Sequence, residues 1–379
     1  MKILIINFEY PPLGGGGGVA TKQLAEELGK RHKVHVLTSA AQGTPSKEEV
    51  NGVYVHRVPV VGRRDLATAS FPSMLTYVPM AFWRGISLCA EEKFDVLNAQ
   101  FVLPSGIPAV LLAKLFRIPF VLSYIGGDIF DPTKGISPHR HGFLRVLIRS
   151  ISRAAAAQTA ISEDTKKRAY ELHKVSGDIT VTPLGVVPQE VPPASRKELG
   201  IPEQVNVAVS VGRLIPRKGY DTLLRAWKDV PGAHLIILGD GPLKHDLERL
   251  VAELGLSDRV TLSGFVPETR KLQILRAADI YVSAAKHEGF GIVFIEAMDA
   301  SLPIVATNDG GQCDFLVEKE NALLVAPDFP DQLAQAVKMI LQDTSVREQM
   351  SQANTRKAKD FYIDRTAAQF EKVLQGALK

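Results

Sequence analysis

A chain of 379 residues is too long for one ordinary compact core, which points to two domains. Its composition, 45% hydrophobic and 23% charged, is that of a globular protein and argues against a disordered or fibrous chain. The net charge of +4 is uneven: residues 1–190 carry 22 Lys+Arg against 16 Asp+Glu, and residues 191–379 carry 23 against 25. That balance suits either an acidic partner for the first half or ordinary surface lysine and arginine.

Cys89 and Cys313 are far apart and lack metal-ligand spacing, so a disulfide-built secreted domain does not fit and a reducing cytosol does. The opening MKILIINF has a very short apolar run before Glu9 and reads as a first strand rather than a secretory signal. No apolar stretch approaches the roughly 20 residues needed to span a bilayer, so any membrane contact is expected to be peripheral.

Short apolar runs alternate with helical patterns, the signature of βα units on parallel sheets. In the first half the predicted strands cover residues 2–7, 33–38, 53–58, 96–99, 120–123, 157–160 and 179–182. A proline-rich connector follows, with Pro183, Pro188, Pro192, Pro193 and Pro202, and it marks a domain boundary. The alternation restarts at 205–211 and continues through 235–238, 260–262, 280–283, 304–306 and 323–325.

Gly14 to Gly18 follow the first strand and precede a helix expected to begin near Val19. Such a run lets backbone N–H groups approach a phosphate at a helix N-terminus, although a purely structural loop is an alternative. Gly15, Gly17 and Ala20 formally match the dinucleotide fingerprint, but residues 8–13 separate them from the strand. The second strand also ends on Thr38, Ser39 and Ala40 rather than on an acidic residue. Asp128 stands behind Gly126 and Gly127 after the strand at 120–123, where a carboxylate binds hydroxyls, accepts a proton or caps a helix. Arg145, Arg149 and Arg153 share one helical face beside apolar residues of 143–151, which suits an anionic lipid surface or a solvated face. The apolar stretch 66–88, with Phe71, Tyr77, Phe82 and Trp83, shapes an acceptor pocket or is core.

The second half carries the strongest chemistry. In VGRLIPRKG, Arg213 and Lys218 follow a strand beside Gly212 and Gly219, an arrangement suited to a diphosphate. In HEGFGIVFIEAM, Glu288 and Glu296 are eight residues apart around a Gly289-Phe290-Gly291 turn and a helix over 292–298. Amides at that helix start suit a phosphate, and Glu296 suits ribose hydroxyls.

These segments, with PPLGG, GGD, LIILGDGP, GFV, PIVAT and the Gly310-Gly311 pair, resemble the family-4 retaining glycosyltransferases of the GT-B fold over nearly the whole chain. The resemblance implies two Rossmann-like α/β domains facing a central cleft: an acceptor domain over 1–185, a nucleotide-sugar domain over 186–365, and a helix over 366–379 crossing back. It implies that Arg213 and Lys218 grip the donor diphosphate, Glu296 holds the ribose, and Glu288 sits at the reacting face of the sugar. Backbone at Gly289, Phe290, Gly291 and Ile292 would cap the phosphates, and backbone near Val266 would read the base. Lys271 would assist near the nucleotide, Gly15 and Gly16 would approach the diphosphate, and Asp128 would join the catalytic set. Two positions depart from the family pattern. Ile125 stands where a histidine is common, and Pro183-Leu184-Gly185-Val186-Val187 replaces a more polar P-N-G-V-D stretch.

No D-x-D sequence and no His/Cys ligand cluster occurs, so neither a metal nor another cofactor is expected. The expected partners are a nucleotide-sugar donor, a glycan, lipid-linked or small-molecule acceptor and an anionic membrane surface, with no nucleic acid. The expected location is the cytoplasm, with contact at the inner face of the membrane as an open alternative. A nucleotide-sugar epimerase, a phosphorylase or a non-catalytic sugar-nucleotide sensor are the competing readings.

Overall fold

The computed structural model describes residues 1–63 and 69–378. The chain forms two compact units, one made of Met1–Val187 with Tyr362–Lys379 and the other of Pro188–Phe361.

The first unit is built on β1 (Lys2–Asn7), β2 (Lys33–Ser39), β3 (Lys47–Val50), β4 (Val53–Val58), β5 (Val96–Gln100), β6 (Phe120–Tyr124), β7 (Ala157–Ala160) and β8 (Ile179–Val181). They form one sheet in the order β3-β4-β2-β1-β5-β6-β7-β8. Strands such as β1, β5 and β6 are buried on both faces, which is why they read as largely apolar runs rather than alternating ones. The edge strand β3 is the exception. Its sequence KEEV has no apolar alternation to predict it, and it pairs antiparallel with β4. A charged edge of this kind resists pairing with another chain.

The helices of this unit are α1 (Gly16–Gly29), α2 (Phe71–Glu92), α3 (Gly106–Phe116), α4 (Gly142–Ala154) and α5 (Glu163–His173). The last four cover one sheet face, where Tyr77, Leu88, Leu112 and Ile148 pack on Leu4, Ile6, Leu97 and Leu122. α1 begins at Gly16, three residues before the predicted start. Glycine is a poor helix former, but Gly17 and Gly18 are crowded by neighbouring chain: a β-carbon at Gly18 would lie 3.1 Å from the Leu13 carbonyl oxygen.

The second unit has an all-parallel sheet of β9 (Asn206–Val211), β10 (Ala233–Leu238), β11 (Val260–Gly264), β12 (Ile280–Val282), β13 (Ile304–Thr307) and β14 (Ala322–Val325). Their order is β11-β10-β9-β12-β13-β14. The helices are α6 (Tyr220–Trp227), α7 (Lys244–Glu253), α8 (Glu268–Ala277), α9 (Ile292–Asp299), α10 (Pro330–Gln342) and α11 (Thr344–Ala358). Trp227, fully buried, anchors a core that includes Leu223, Leu235, Ile237 and Val337. Each sheet reverses its strand order at one point, between β1 and β5 in the first unit and between β9 and β12 in the second.

The final helix α12 (Ile363–Gly376) belongs to the first unit and starts three residues before the predicted bound. Phe370 and Leu374 pack with Ile3, Ile5, Ala25 and Leu28 on the sheet face that α1 covers. Gly185 makes the approach feasible, since a β-carbon there would lie 2.8 Å from the Ile363 Cα. Glu371 then accepts from Arg31 at 2.8 Å and meets His32 at 2.9 Å. Truncating Phe370 to alanine should destabilise the first unit by about 3–5 kcal/mol, read as a lower denaturant midpoint. An unchanged midpoint would mean that α12 docks without holding the unit together.

Candidate functional site

Open parallel sheets bind ligands beyond the carboxyl ends of strands, where the strand order reverses. In the second unit that position belongs to the loops leaving β9 and β12. The β9 loop carries Arg213 and then a 3-10 turn, Pro216–Lys218, with Arg217 and Lys218. The β12 loop carries Glu288, which is 5% exposed. Lys218 Nζ donates to Glu288 Oε1, and Arg217 lies 4.0 Å from the other carboxylate oxygen. Arg213 is half-buried, close enough for its charge to weaken the hold of Lys218 on its proton.

Glycines let these loops meet. Gly219 has φ +62, and a β-carbon on it would overlap the Ala284 carbonyl of the β12 loop. Gly239 would likewise overlap the Gly212 carbonyl, and Gly310 the Glu288 carbonyl. Gly311 N–H donates to that same Glu288 oxygen at 2.8 Å, so the Gly310-Gly311 pair fixes the backbone of the acidic residue. Lys286 N–H donates to the Arg217 carbonyl at 2.8 Å, tying the two loops directly.

Burial works against the charged forms of both Glu288 and Lys218. The Glu288 carboxyl is nevertheless held below its ordinary range, because Lys218 and Arg217 outweigh burial. Lys218 is held below its ordinary value by burial, with Arg217 and Arg213 acting in the same direction and Glu288 opposing.

A second pair stands one helix away. Glu296 lies four residues into α9, one turn along, and meets Lys271 of α8 at 2.7 Å. Lys271 also reaches Glu268 at 2.9 Å. Burial pushes the Glu296 carboxyl up despite Lys271. For Lys271 burial is outweighed by the two glutamates, and its proton is held more tightly than usual. Gly291, at φ +84, is the N-cap of α9, so the amides of Gly291 and Ile292 open that helix. The Phe290 side chain is buried against Phe315 and Phe361, which leaves the backbone of the turn as its contribution. Val266 is half-buried in the loop after β11, beside Phe265, which is 81% exposed.

Arg213, Lys218 and Glu288 therefore cluster, and Lys271 joins Glu296. Arg217 completes the first cluster, which the sequence pattern assigns to Arg213 and Lys218 alone. Its signal lies in the same PRK triplet, where one cation is enough to suggest a diphosphate and the second adds nothing to the pattern.

In the first unit, Gly14 to Gly18 sit at the end of β1, beside the reversal. Gly15 caps α1 and Gly16 opens it. Thr38 and Ser39, where a ribose-binding carboxylate would stand, point their hydroxyls at the Phe8 carbonyl, at 3.5 and 2.6 Å. Asp128 is 6% exposed, and its two carboxylate oxygens accept the Val102 N–H at 2.6 Å and the Ile125 N–H at 3.0 Å. It caps no described helix. Burial pushes its carboxyl up to about 6, against the pull of those amides.

The three arginines of α4 are not equivalent. Arg145 and Arg153 are exposed, whereas Arg149 turns inward and donates to the His173 carbonyl at 3.2 Å. Of the apolar stretch 66–88, residues 66–68 lie outside the described residues. Tyr77 is core, with its hydroxyl donating to the Leu37 carbonyl at 2.9 Å, while Phe71 and Trp83 are exposed. No described helix is long and apolar enough to cross a membrane.

Two Rossmann-type units, the second with cations and a buried glutamate at its strand reversal, define an α/β protein with a charged cluster where open parallel sheets bind ligands. Residues 15–185 match the glycosyl transferase 4-like domain and residues 192–357 match the glycosyl transferases group 1. The 2-deoxystreptamine glucosyltransferase of Streptomyces kanamyceticus is 30% identical over 84% of this chain and 86% of its own length. Sucrose-phosphate synthase from Thermosynechococcus elongatus shares the fold, with a TM-score of 0.87 at 22% identity, covering 99% of this chain and 98% of that one. HepE of Anabaena in complex with UDP-glucose superposes with a TM-score of 0.78 at 20% identity, covering 99% of both chains. The chain belongs to the family-4 glycosyltransferases of the GT-B fold.

Removing one partner of a buried ion pair leaves the other charge uncompensated. Lys218→Ala should therefore destabilise the second unit by about 3–5 kcal/mol at neutral pH. Adding Glu288→Gln should recover most of that loss. Denaturant unfolding of the two variants checks this, and equal midpoints for single and double variants would mean that the pair is not coupled.

Proposed function

We propose that the protein is a retaining, metal-independent glycosyltransferase that moves a sugar from a nucleotide diphosphate to an acceptor hydroxyl. The observation that carries this reading is the cluster of Arg213 and Lys218 with Glu288 at the reversal between β9 and β12. As a sugar leaves, negative charge builds on the diphosphate, and fixed cations aimed at it lower the barrier. Arg213 and Lys218, with backbone amides over 289–292, take the part that a divalent ion plays elsewhere. Glu288 neutralises Lys218 until the anionic donor arrives, and then faces the sugar.

Glu296, braced by Lys271, accepts the ribose hydroxyls, and backbone at Val266 contacts the base. Gly15 and Gly16 open α1 with amides suited to a phosphate. Retention follows a front-face course. The bond from the anomeric carbon to the phosphate oxygen breaks, the acceptor oxygen bonds to the same face, and its proton passes to the leaving phosphate. HepE of Anabaena holds UDP-glucose on the same fold, which makes UDP-glucose the first donor to try. The Streptomyces relative, a 2-deoxystreptamine glucosyltransferase, supports a small-molecule acceptor beside glycan and lipid-linked ones.

Nucleotide release from a panel of donors, in excess chelator, tests the reading. Arg213→Ala should lower kcat/KM about 10- to 150-fold, the equivalent of one lost charge-assisted contact of roughly 1.5–3 kcal/mol. Turnover that vanishes with chelator and returns with Mg²⁺ would overturn metal independence. An inverted anomeric product would overturn retention, and an epimerised donor or binding without turnover would favour the competing classes.

A second observation favours a membrane-proximal acceptor. On α4, Phe143 is 77% exposed and Val146 56% exposed, beside the solvent-facing Arg145 and Arg153. Each such cation adds about 1 kcal/mol at an anionic surface, in a salt-sensitive manner. Co-sedimentation with anionic vesicles should exceed that with neutral ones at low salt, and charge reversal of Arg145 and Arg153 should abolish the difference. Equal, negligible binding to both would sink the membrane reading.

A further inference from the structure

Asp128 is a buried carboxylate with no cation among its described hydrogen-bond partners, in the unit that holds the glycine run. Two of its backbone contacts are specific. Val102 directly follows Phe101, and Ile125 is the residue that replaces the family's common histidine. Phe101 and Ile125 are also the two side chains that press on Gly17: a β-carbon there would lie 2.6 Å from Phe101 Cζ and 3.3 Å from Ile125 Cγ2. Phe101 holds a left-handed backbone at φ +69, a conformation that a bulky residue rarely adopts unless its neighbours impose it. Val102 N–H, the next amide along, is bound by Asp128 Oδ2. Phe101 N–H is itself fixed to the Ser123 carbonyl at 3.1 Å, so the residue is pinned from both sides.

We propose that Asp128 is a positioning residue: by holding the Val102 and Ile125 amides it sets the Phe101 ring and the Ile125 side chain against Gly17, and so fixes the glycine run where α1 begins. All these groups lie at the carboxyl ends of β1, β5 and β6, beside the strand reversal of the first unit. With both oxygens engaged by backbone, Asp128 acts on the transfer through the glycine run rather than by taking a proton. This assignment rests on the glycosyltransferase reading for its consequence in catalysis, but its structural content does not.

Hydrogen exchange on the full chain without donor tests that content directly. The reporters are the Gly18 and Val19 amides, which bond the Gly15 carbonyl at 3.0 and 3.2 Å. Asp128→Asn leaves one acceptor oxygen where two are needed, so exchange at Gly18 and Val19 should quicken about tenfold or more. Phe101→Leu keeps the carboxylate and removes the ring, and it should quicken the same two amides. The double variant should add little to either single change, and amides of α9 in the other unit should be unaffected.

Wild-type exchange at Gly18 and Val19 in either variant would overturn the proposal, as would speeding of all first-unit amides equally. If Asp128→Asn does not fold, Phe101→Leu decides alone. Turnover with a donor found by the nucleotide-release screen adds a second arm. Phe101→Leu should lose activity in parallel with Asp128→Asn. Full activity in Phe101→Leu beside an inactive Asp128→Asn would make Asp128 a proton acceptor and overturn the proposal.

Discussion

Three carbonyl oxygens in the second unit occupy space that a β-carbon would need. The Ala284 carbonyl lies over Gly219, the Gly212 carbonyl over Gly239, and the Glu288 carbonyl over Gly310. Two of these glycines, Gly239 and Gly310, have backbone angles that an L-residue adopts with difficulty, and Gly219 is left-handed. Because the loops meet backbone to backbone, short side chains are not needed to bridge them, and long ones can converge. Lys218 and Glu288 come together from strands that are adjacent in space and 70 residues apart in sequence. The constraint is steric, and the electrostatics of the site follow from it.

Those electrostatics are self-contained before any ligand arrives. Lys218 is matched by Glu288, and Lys271 by Glu296 and Glu268. Burying cations without partners would cost several kcal/mol each. An anionic ligand entering such a site would replace an internal carboxylate as counter-ion, so its binding would be an exchange of partners rather than the filling of a bare positive pocket. That also explains why the acidic residues of an E-x7-E pattern are found with lysines from a different loop and a different helix.

Much of this was legible in the sequence, for physical reasons that can be named. Strands covered on both faces, such as β1 and β9, are mostly apolar and stand out against polar loops. Strand β3 was not legible because its residues are mostly charged and, among the described strands, it pairs with β4 alone. The start of α1 is not legible because helix propensity counts against Gly16, Gly17 and Gly18, while close contacts with Phe101 and Leu13 favour glycine at 17 and 18. Spacing put Arg145, Arg149 and Arg153 on one face of α4, but it could not show that a carbonyl of α5 would draw Arg149 inward. Asp128 and Arg217 illustrate the same limit. Residue type marks a group as capable of chemistry, and only the neighbours decide which of its lone pairs or protons are already engaged.

The return of α12 has a consequence for how the molecule is made. The second unit, Pro188–Phe361, is inserted between two parts of the first. During synthesis, the sheet face that carries Ile3, Ile5, Val34 and Val36 is covered by α1 but lacks Phe370 and Leu374 until α12 leaves the ribosome. An entire second core must be translated, and can fold, while that apolar seam remains open to water and to other chains. Domains generally fold as they emerge, and exposed apolar surface is where nascent chains are caught by one another or by chaperones. The unit that begins before the second one is thus completed only after it, and the vulnerability of the nascent chain lies on a sheet made long before the helix that seals it.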